Sequence, residues 1–156
     1  MNVIKIAVGA DSFAYGLKRA VVEHLGKRGI EVLDVDGYGG IPYFDVAVSA
    51  AKAVVCGGAD GAILFCGTGA GMNIVANKIC GIRAVSVESV FSAAKAKAIN
   101  NANVITIGSM IVGDIMACEM VDAWLDTKFT QGFDGLEEFL SSALDSVSQI
   151  DSANRI

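Results

Sequence analysis

At 156 residues the chain suits one domain with a sizeable core, and 53% hydrophobic against 19% charged residues is too apolar for disorder. A net charge of −5 with 12 scattered Lys and Arg argues against nucleic acid or an anionic membrane surface as partner, and no apolar run is long enough to span a bilayer. The four cysteines, Cys56, Cys66, Cys80 and Cys118, show no C-x-x-C spacing and are expected as reduced thiols of a cytoplasmic protein.

Met1-Asn2-Val3-Ile4-Lys5 is expected to lead straight into a first strand, over 3–9, with no signal peptide. Gly9-Ala10-Asp11-Ser12 follows it. Asp11 and Ser12 can each cap the next helix or contact a ligand. That helix is expected over 13–28, with Gly29 where a C-terminal cap would fall. It holds the only histidine, His24, read as a surface or partly packed residue, so a histidine acid–base mechanism lacks its residue. A strand over 31–36 and a loop marked by the single proline, Pro42, precede a helix over 44–55.

The most informative segment comes next. An apolar strand over 61–66 ends in Cys66-Gly67-Thr68-Gly69-Ala70-Gly71, and a helix is expected from there to residue 78. Glycines let a backbone approach a ligand closely, and N–H groups at a helix start point at negative charge. A thiol near such a helix start can act as a thiolate. One turn thus offers a base or nucleophile beside an oxyanion cradle. The dinucleotide fingerprint G-x-G-x-x-G fails, because Met72 holds the third glycine's place, and no phosphate-binding G-x-x-x-x-G-K-[ST] occurs. Cys56, Cys80 and Cys118 are read as packing residues.

Strands over 83–87 and 103–108 enclose a helix over 89–100, and a helix over 114–125 follows. The alternation predicts an α/β fold: one doubly wound, Rossmann-like, five-stranded parallel sheet with helices on both faces, in a single domain over 1–156. Ligands of such sheets bind at the carboxyl ends of the strands. The last helix, over 135–150, differs. Phe133, Leu136, Phe139, Leu140, Ala143, Leu144, Val147 and Ile150 form an apolar stripe at helical spacing, expected to dock on a second subunit. Asp134 and Glu137 resemble a capping box at its start.

From about residue 5 to 125 the chain resembles the B-type ribose-5-phosphate isomerases and their galactose-6-phosphate and tetrulose-phosphate relatives. The blocks that carry the resemblance are 59–72, Ala76-Asn77-Lys78, Gly81-Ile82-Arg83-Ala84 and Asn100-Asn101-Ala102-Asn103-Val104. It implies an aldose–ketose isomerase working through a cis-enediolate on a small sugar or sugar phosphate, with no metal and no cofactor. It implies Cys66 as the base between C1 and C2 and Thr68 in ring opening. Gly67, Gly69, Ala70 and Gly71 would hold the enediolate oxygen through their N–H groups, and Asp11, Ser12 and Asn100 would contact substrate. It implies a homodimer or homotetramer with shared sites.

Several positions depart from the family pattern. Ser12 and Ile99 stand where histidines are usual, and Met110 where an arginine binds phosphate. The C-terminal arginine-rich segment is replaced by residues 132–138, and Glu88 stands near a usual histidine or arginine. Arg83, Lys95 and Lys97 are the nearest cations in sequence. These losses predict a substrate other than ribose 5-phosphate, such as a tetrulose. The alternatives are a non-catalytic sugar-binding protein or one subunit of a heteromeric isomerase.

Overall fold

The computed structural model describes residues 3–154. Met1 and Asn2, the start of the expected leaderless segment, lie outside the described residues, as do the last two residues of the expected 1–156 domain. Within them β1 (Lys5–Ala10), β2 (Glu31–Asp34), β3 (Gly61–Cys66), β4 (Ala84–Ser86) and β5 (Val104–Gly108) form one parallel sheet in the order β2-β1-β3-β5-β4. α1 (Tyr15–Lys27), α2 (Tyr43–Val55), α3 (Ala70–Ala76), α4 (Val90–Asn100), α5 (Asp114–Asp126) and α6 (Glu137–Ala153) make up the helices. No helix among the described residues is long and apolar enough to cross a membrane.

Every expected strand and helix is present, and the shifted ends have local causes. β1 starts at Lys5 because its partner starts at Glu31. β2 stops at Asp34 because the Asp34 carboxylate takes the N–H groups of Asp36 and Gly37, which curls the chain out of the sheet. A 3-10 turn over Ser12–Ala14 precedes α1. Gly29, at φ 71°, closes α1: its N–H donates to the Gly26 carbonyl and that of Ile30 to the Leu25 carbonyl. This is the paired-bond ending that glycine at that position permits.

The sheet is covered on both faces, which explains why its strands are apolar on both sides. Ile6, Val8, Ile63, Phe65, Ile105 and Ile107 face α1, α4 and α5, where Leu25, Met120 and Trp124 complete the core. Ala7, Ala62, Leu64 and Val104 face α2 and α3, where alanines Ala47, Ala50 and Ala51 allow close helix–sheet approach.

α6 is the exception. Leu140 is its only buried residue, while Phe139 is 68% and Ile150 61% exposed. The helix does rest on its own chain, beside Ile82 to Val85, so it is not wholly without an intrachain partner. The expected capping box is absent. Gly135, at φ 85°, turns the chain so that the helix starts only at Glu137. Glu137 is then its first residue rather than its third, and no side chain caps it.

Candidate active site

β1 and β3 lie side by side, and the chain leaves them in opposite directions across the sheet. Their carboxyl ends flank the crevice where open α/β sheets bind ligands. Asp11 follows β1 and Cys66 ends β3, and the Asp11 N–H donates to the Phe65 carbonyl at 3.1 Å. The two candidate groups are therefore fastened together through the backbone.

The turn after Cys66 is held by main-chain atoms. The Ser109 N–H donates to the Cys66 carbonyl and the Met110 N–H to the Gly67 carbonyl, both at 2.9 Å. Gly108 must be glycine, since a Cβ there would sit 2.6 Å from the Thr68 carbonyl carbon. Gly69 has φ 79°, and a Cβ on it would meet the Ser86 hydroxyl and the Gly108 nitrogen. In this clamped turn the Gly69 N–H donates to Cys66 Sγ at 3.1 Å and the Ala70 N–H to Thr68 Oγ1 at 3.4 Å. Two of the expected cradle donors are thus engaged within the turn itself. The first N–H groups of α3 otherwise have no intrahelical partner.

Cys66, buried, borders a cavity of about 360 Å³ with Asp11, Phe13, Tyr43, Gly67, Thr68, Gly71 and Met110. No Lys, Arg or His is among these residues. The Asp11 carboxylate accepts the Phe13 N–H at 3.0 Å and caps the 3-10 turn, so its capping role is real. Burial pushes the Asp11 carboxyl above its ordinary value, against the lowering effect of backbone N–H groups of Phe13 and Ala14.

Behind Asp11 lies a buried ionic cluster. Lys18 is fully buried and donates to Asp34 at 2.6 Å and Asp36 at 2.8 Å, with the Tyr38 ring 4.0 Å from its nitrogen. The Asp36 carboxylate also accepts the N–H of Ala10, the residue before Asp11. Burial acts to raise the Asp34 carboxyl, but Lys18 and the N–H groups of Gly37 and Asp36 outweigh it and hold it below its usual value. The cluster ties down the end of β1 and with it the residue before Asp11.

Of the residues expected from sequence, Asp11, Cys66, Gly67, Thr68 and Gly71 meet at one cavity. Gly69 and Ala70 shape the turn behind it, and Ser12 is exposed in the 3-10 turn. Asn100 is elsewhere. α4 runs back from the carboxyl end of the sheet, so its last residue lies at the opposite end, in a second cavity with Arg83. Sequence reasoning missed Tyr43 and Phe13. The one available signal for Tyr43 was its place beside Pro42, in the loop after β2. In the fold its ring lies where a Cβ on Gly71 would be 3.0 Å away.

Cys56 and Cys80 are corrected from packing residues to exposed ones: Cys56 caps the end of α2 and Cys80 sits in the turn after α3. Cys118 is half-buried. His24 is partly packed as expected, with Nε2 2.7 Å from Asp122. Among the described residues no group of three or more His, Cys, Asp or Glu could hold a metal ion.

A family model described as Ribose/Galactose Isomerase matches residues 6–136. The chain is 40% identical over 152 residues to a 4-deoxy-4-sulfo-D-erythrose isomerase of Clostridium sp. (strain MSTE9), covering 95% of this chain and 96% of that one. It is 44% identical over 132 residues to a D-erythrulose-4-phosphate isomerase of Pectobacterium atrosepticum, covering 83% and 87%. Its fold superposes on that of ribose-5-phosphate isomerase B from Clostridium thermocellum with a TM-score of 0.87 at 34% identity, over 96% of this chain and 99% of the other.

Proposed function

The chain belongs to the ribose/galactose isomerase family and is an aldose–ketose isomerase, and on that premise we propose that it acts on a four-carbon sugar bearing an anionic group, with Cys66 as the base. The observation that carries the reading is the composition of the Cys66 cavity. A buried thiol and a carboxyl share it, the pair that a proton shuttle between two carbons and two oxygens needs. Both relatives named for erythrose or erythrulose derivatives support the short substrate. Such sugars need no furanose ring opened, which fits Ile99 where a ring-opening histidine is usual in the family.

In this scheme the Cys66 thiolate takes the proton from C2 of the aldose and returns it to C1. The hydroxyl proton on O2 passes to O1 by way of the Asp11 carboxyl. N–H groups of Gly67 to Gly71 hold the enediolate oxygen as charge develops, the kind of term that contributes most when donors are fixed beforehand. Gly69 and Ala70 would turn their N–H groups from Cys66 and Thr68 to the substrate. Thr68 and Ser12 contact substrate hydroxyls. Asn100 reaches the substrate only from a second copy, since its own Cys66 is at the other end of the sheet. The functional unit is then a single domain over 1–156 assembled as a homodimer or homotetramer in the cytoplasm, using no metal.

The missing cation also favours a second reading, in which a different chain completes the site of a heteromeric isomerase. Turnover by the purified chain alone separates the two. Proton exchange in D₂O is to be compared for erythrulose 4-phosphate, 4-deoxy-4-sulfoerythrose and ribose 5-phosphate. A four-carbon substrate should exceed ribose 5-phosphate in kcat/KM by at least about tenfold. A value for ribose 5-phosphate above about 10⁴ M⁻¹s⁻¹, the low end of ordinary enzyme efficiency, overturns the substrate assignment.

A further inference from the structure

A second cavity, of about 410 Å³, lies between α6 and the start of β4. Its walls include Arg83, Asn100, Ile82, Phe139, Leu144 and Val147. Arg83 is half-buried, and its Nε donates to the Asn101 carbonyl at 3.0 Å. Among the described residues the guanidinium makes no other hydrogen bond, and none of their carboxylates lies within ion-pair distance of it. Lys97, also half-buried, has no acid partner among them either. Fully buried Lys18, by contrast, is paired with two aspartates, while half-buried Lys95 lies over the Phe91 and Phe133 rings.

The electrostatics agree with the geometry. Burial pulls the Arg83 guanidinium below its ordinary value. Burial also lowers Lys97, and the charge of Arg83 lowers it further. Lys97 lies over the Trp124 ring at 5.8 Å, in a different cavity, while the Arg83 guanidinium stands partly out of water with one carbonyl as its partner among the described residues. Burying a charge is costly unless it is paired. With Nε occupied, the two terminal nitrogens of a guanidinium form a planar fork that matches two oxygens of one anion.

We infer that this cavity binds a small organic oxyanion, a phosphate or sulfonate, with Arg83 as its anchoring cation. Asn100, in the same cavity, offers an amide for a further oxygen or hydroxyl, and the apolar wall of α6 covers the carbon body. The binding claim stands on the cavity itself. Two sources share this chemistry. One is a free anion that enters the cavity of a single chain. The other is the anionic end of a sugar whose carbonyl end is at Cys66 of a second copy, and this one rests on the reading that Asn100 meets substrate in trans.

The test is calorimetric titration of the full-length protein with inorganic phosphate, for wild type, Arg83→Gln and Arg83→Lys. Arg83→Gln should weaken phosphate binding at least tenfold, and Arg83→Lys less. Diffraction from wild-type crystals soaked in selenate should place the anion within hydrogen-bond reach of the Arg83 terminal nitrogens. Equal phosphate affinity in wild type and Arg83→Gln, or anion density confined to the Cys66 cavity, overturns the inference. If Arg83→Gln does not fold, the selenate map decides alone. Kinetics then assign the source. A tenfold or larger rise in KM for a phosphorylated sugar at nearly constant kcat, with phosphate competitive, assigns the substrate's anion. Lost phosphate binding at unchanged KM assigns a free one. Absence of turnover with every sugar would sink the proposed reaction and leave the binding result intact.

Discussion

The two ends of the sheet make opposite use of similar space. At the carboxyl end a cavity of about 360 Å³ is walled by a thiol, a carboxyl and glycine backbone, on a turn clamped to β5. At the amino end a cavity of about 410 Å³ is walled by an arginine, two asparagines and one loosely seated helix. The first has acid and thiol but no cation. The second has a cation but no acid. Proton transfer needs groups fixed to within a fraction of an ångström, while holding an anion needs charge more than precision. The contrast sets a turn braced by main-chain bonds at one end of the sheet against a cavity covered by a single exposed helix at the other.

The sharpest way to break this contrast is to remove the thiol. Cys66→Ala should lower kcat by about 10²-fold or more, since a positioned general base contributes roughly 10²–10⁴-fold. Near-normal turnover would end its assignment as the base. Labelling with iodoacetamide is a poorer test, because Cys56 and Cys80 are exposed and Cys66 is buried.

A second variant probes rigidity behind the same end. Asp36→Ala leaves Lys18 buried with Asp34 alone and frees the Ala10 N–H. Breaking a buried ion pair costs about 3–5 kcal/mol, and the remaining aspartate should keep the loss near the lower figure. Urea unfolding measures it, and an unchanged midpoint would show that the cluster does not hold β1.

Next comes the clamp itself. Gly108→Ala places a methyl against the Thr68 carbonyl, and overpacking of this kind costs about 1–3 kcal/mol. Activity should fall more than stability, because the displaced turn carries Thr68. Equal kcat with reduced stability would mean that the turn tolerates movement.

At the other end, Phe139→Asp alters an exposed residue and should leave the isolated chain folded. If α6 pairs subunits, sedimentation will show dissociation. A wild-type chain that is already a monomer at micromolar concentration contradicts the dimer.

The smallest effect concerns Asp11. Its folded carboxyl is raised by burial, so the folded state favours the protonated form. That contribution to stability is present at low pH and lost as pH rises through the folded value. Asp11→Asn should therefore raise Tm slightly at neutral pH, with the difference vanishing below the ordinary carboxylate range, while turnover falls. A constant difference across the pH range would show that ionisation is not its cause.

Much of the carboxyl end was legible in the sequence. Apolar runs β1, β3 and β5 are buried on both faces and are flanked by turn residues, so periodicity and glycine placement located Cys66 and its turn. Asp11 was legible for the same reason. Tyr43 was legible only through its place beside Pro42, because a tyrosine at a helix start carries no site signal of its own until α2 brings it against Gly71. The ionic cluster was equally hidden: Lys18 reads as an ordinary helix lysine until Asp34 and Asp36 converge on it. Asn100 was named from resemblance, and its place at the far end of the sheet follows only from the direction of α4. The start of α6 was misjudged because Gly135 turns left-handed there, which a pattern of Asp and Glu does not reveal.

Position 110 is joined to the turn through its N–H, which donates to the Gly67 carbonyl, while the residue is 72% exposed and edges the Cys66 cavity. A joint made of main-chain atoms is blind to what the side chain is. Residue 110 is thus a replaceable fitting: any residue that keeps its N–H, methionine or arginine but not proline, leaves in place the bond that braces the turn carrying Cys66. A side chain exchanged at this slot changes the wall of the cavity and leaves the backbone brace of the turn as it was.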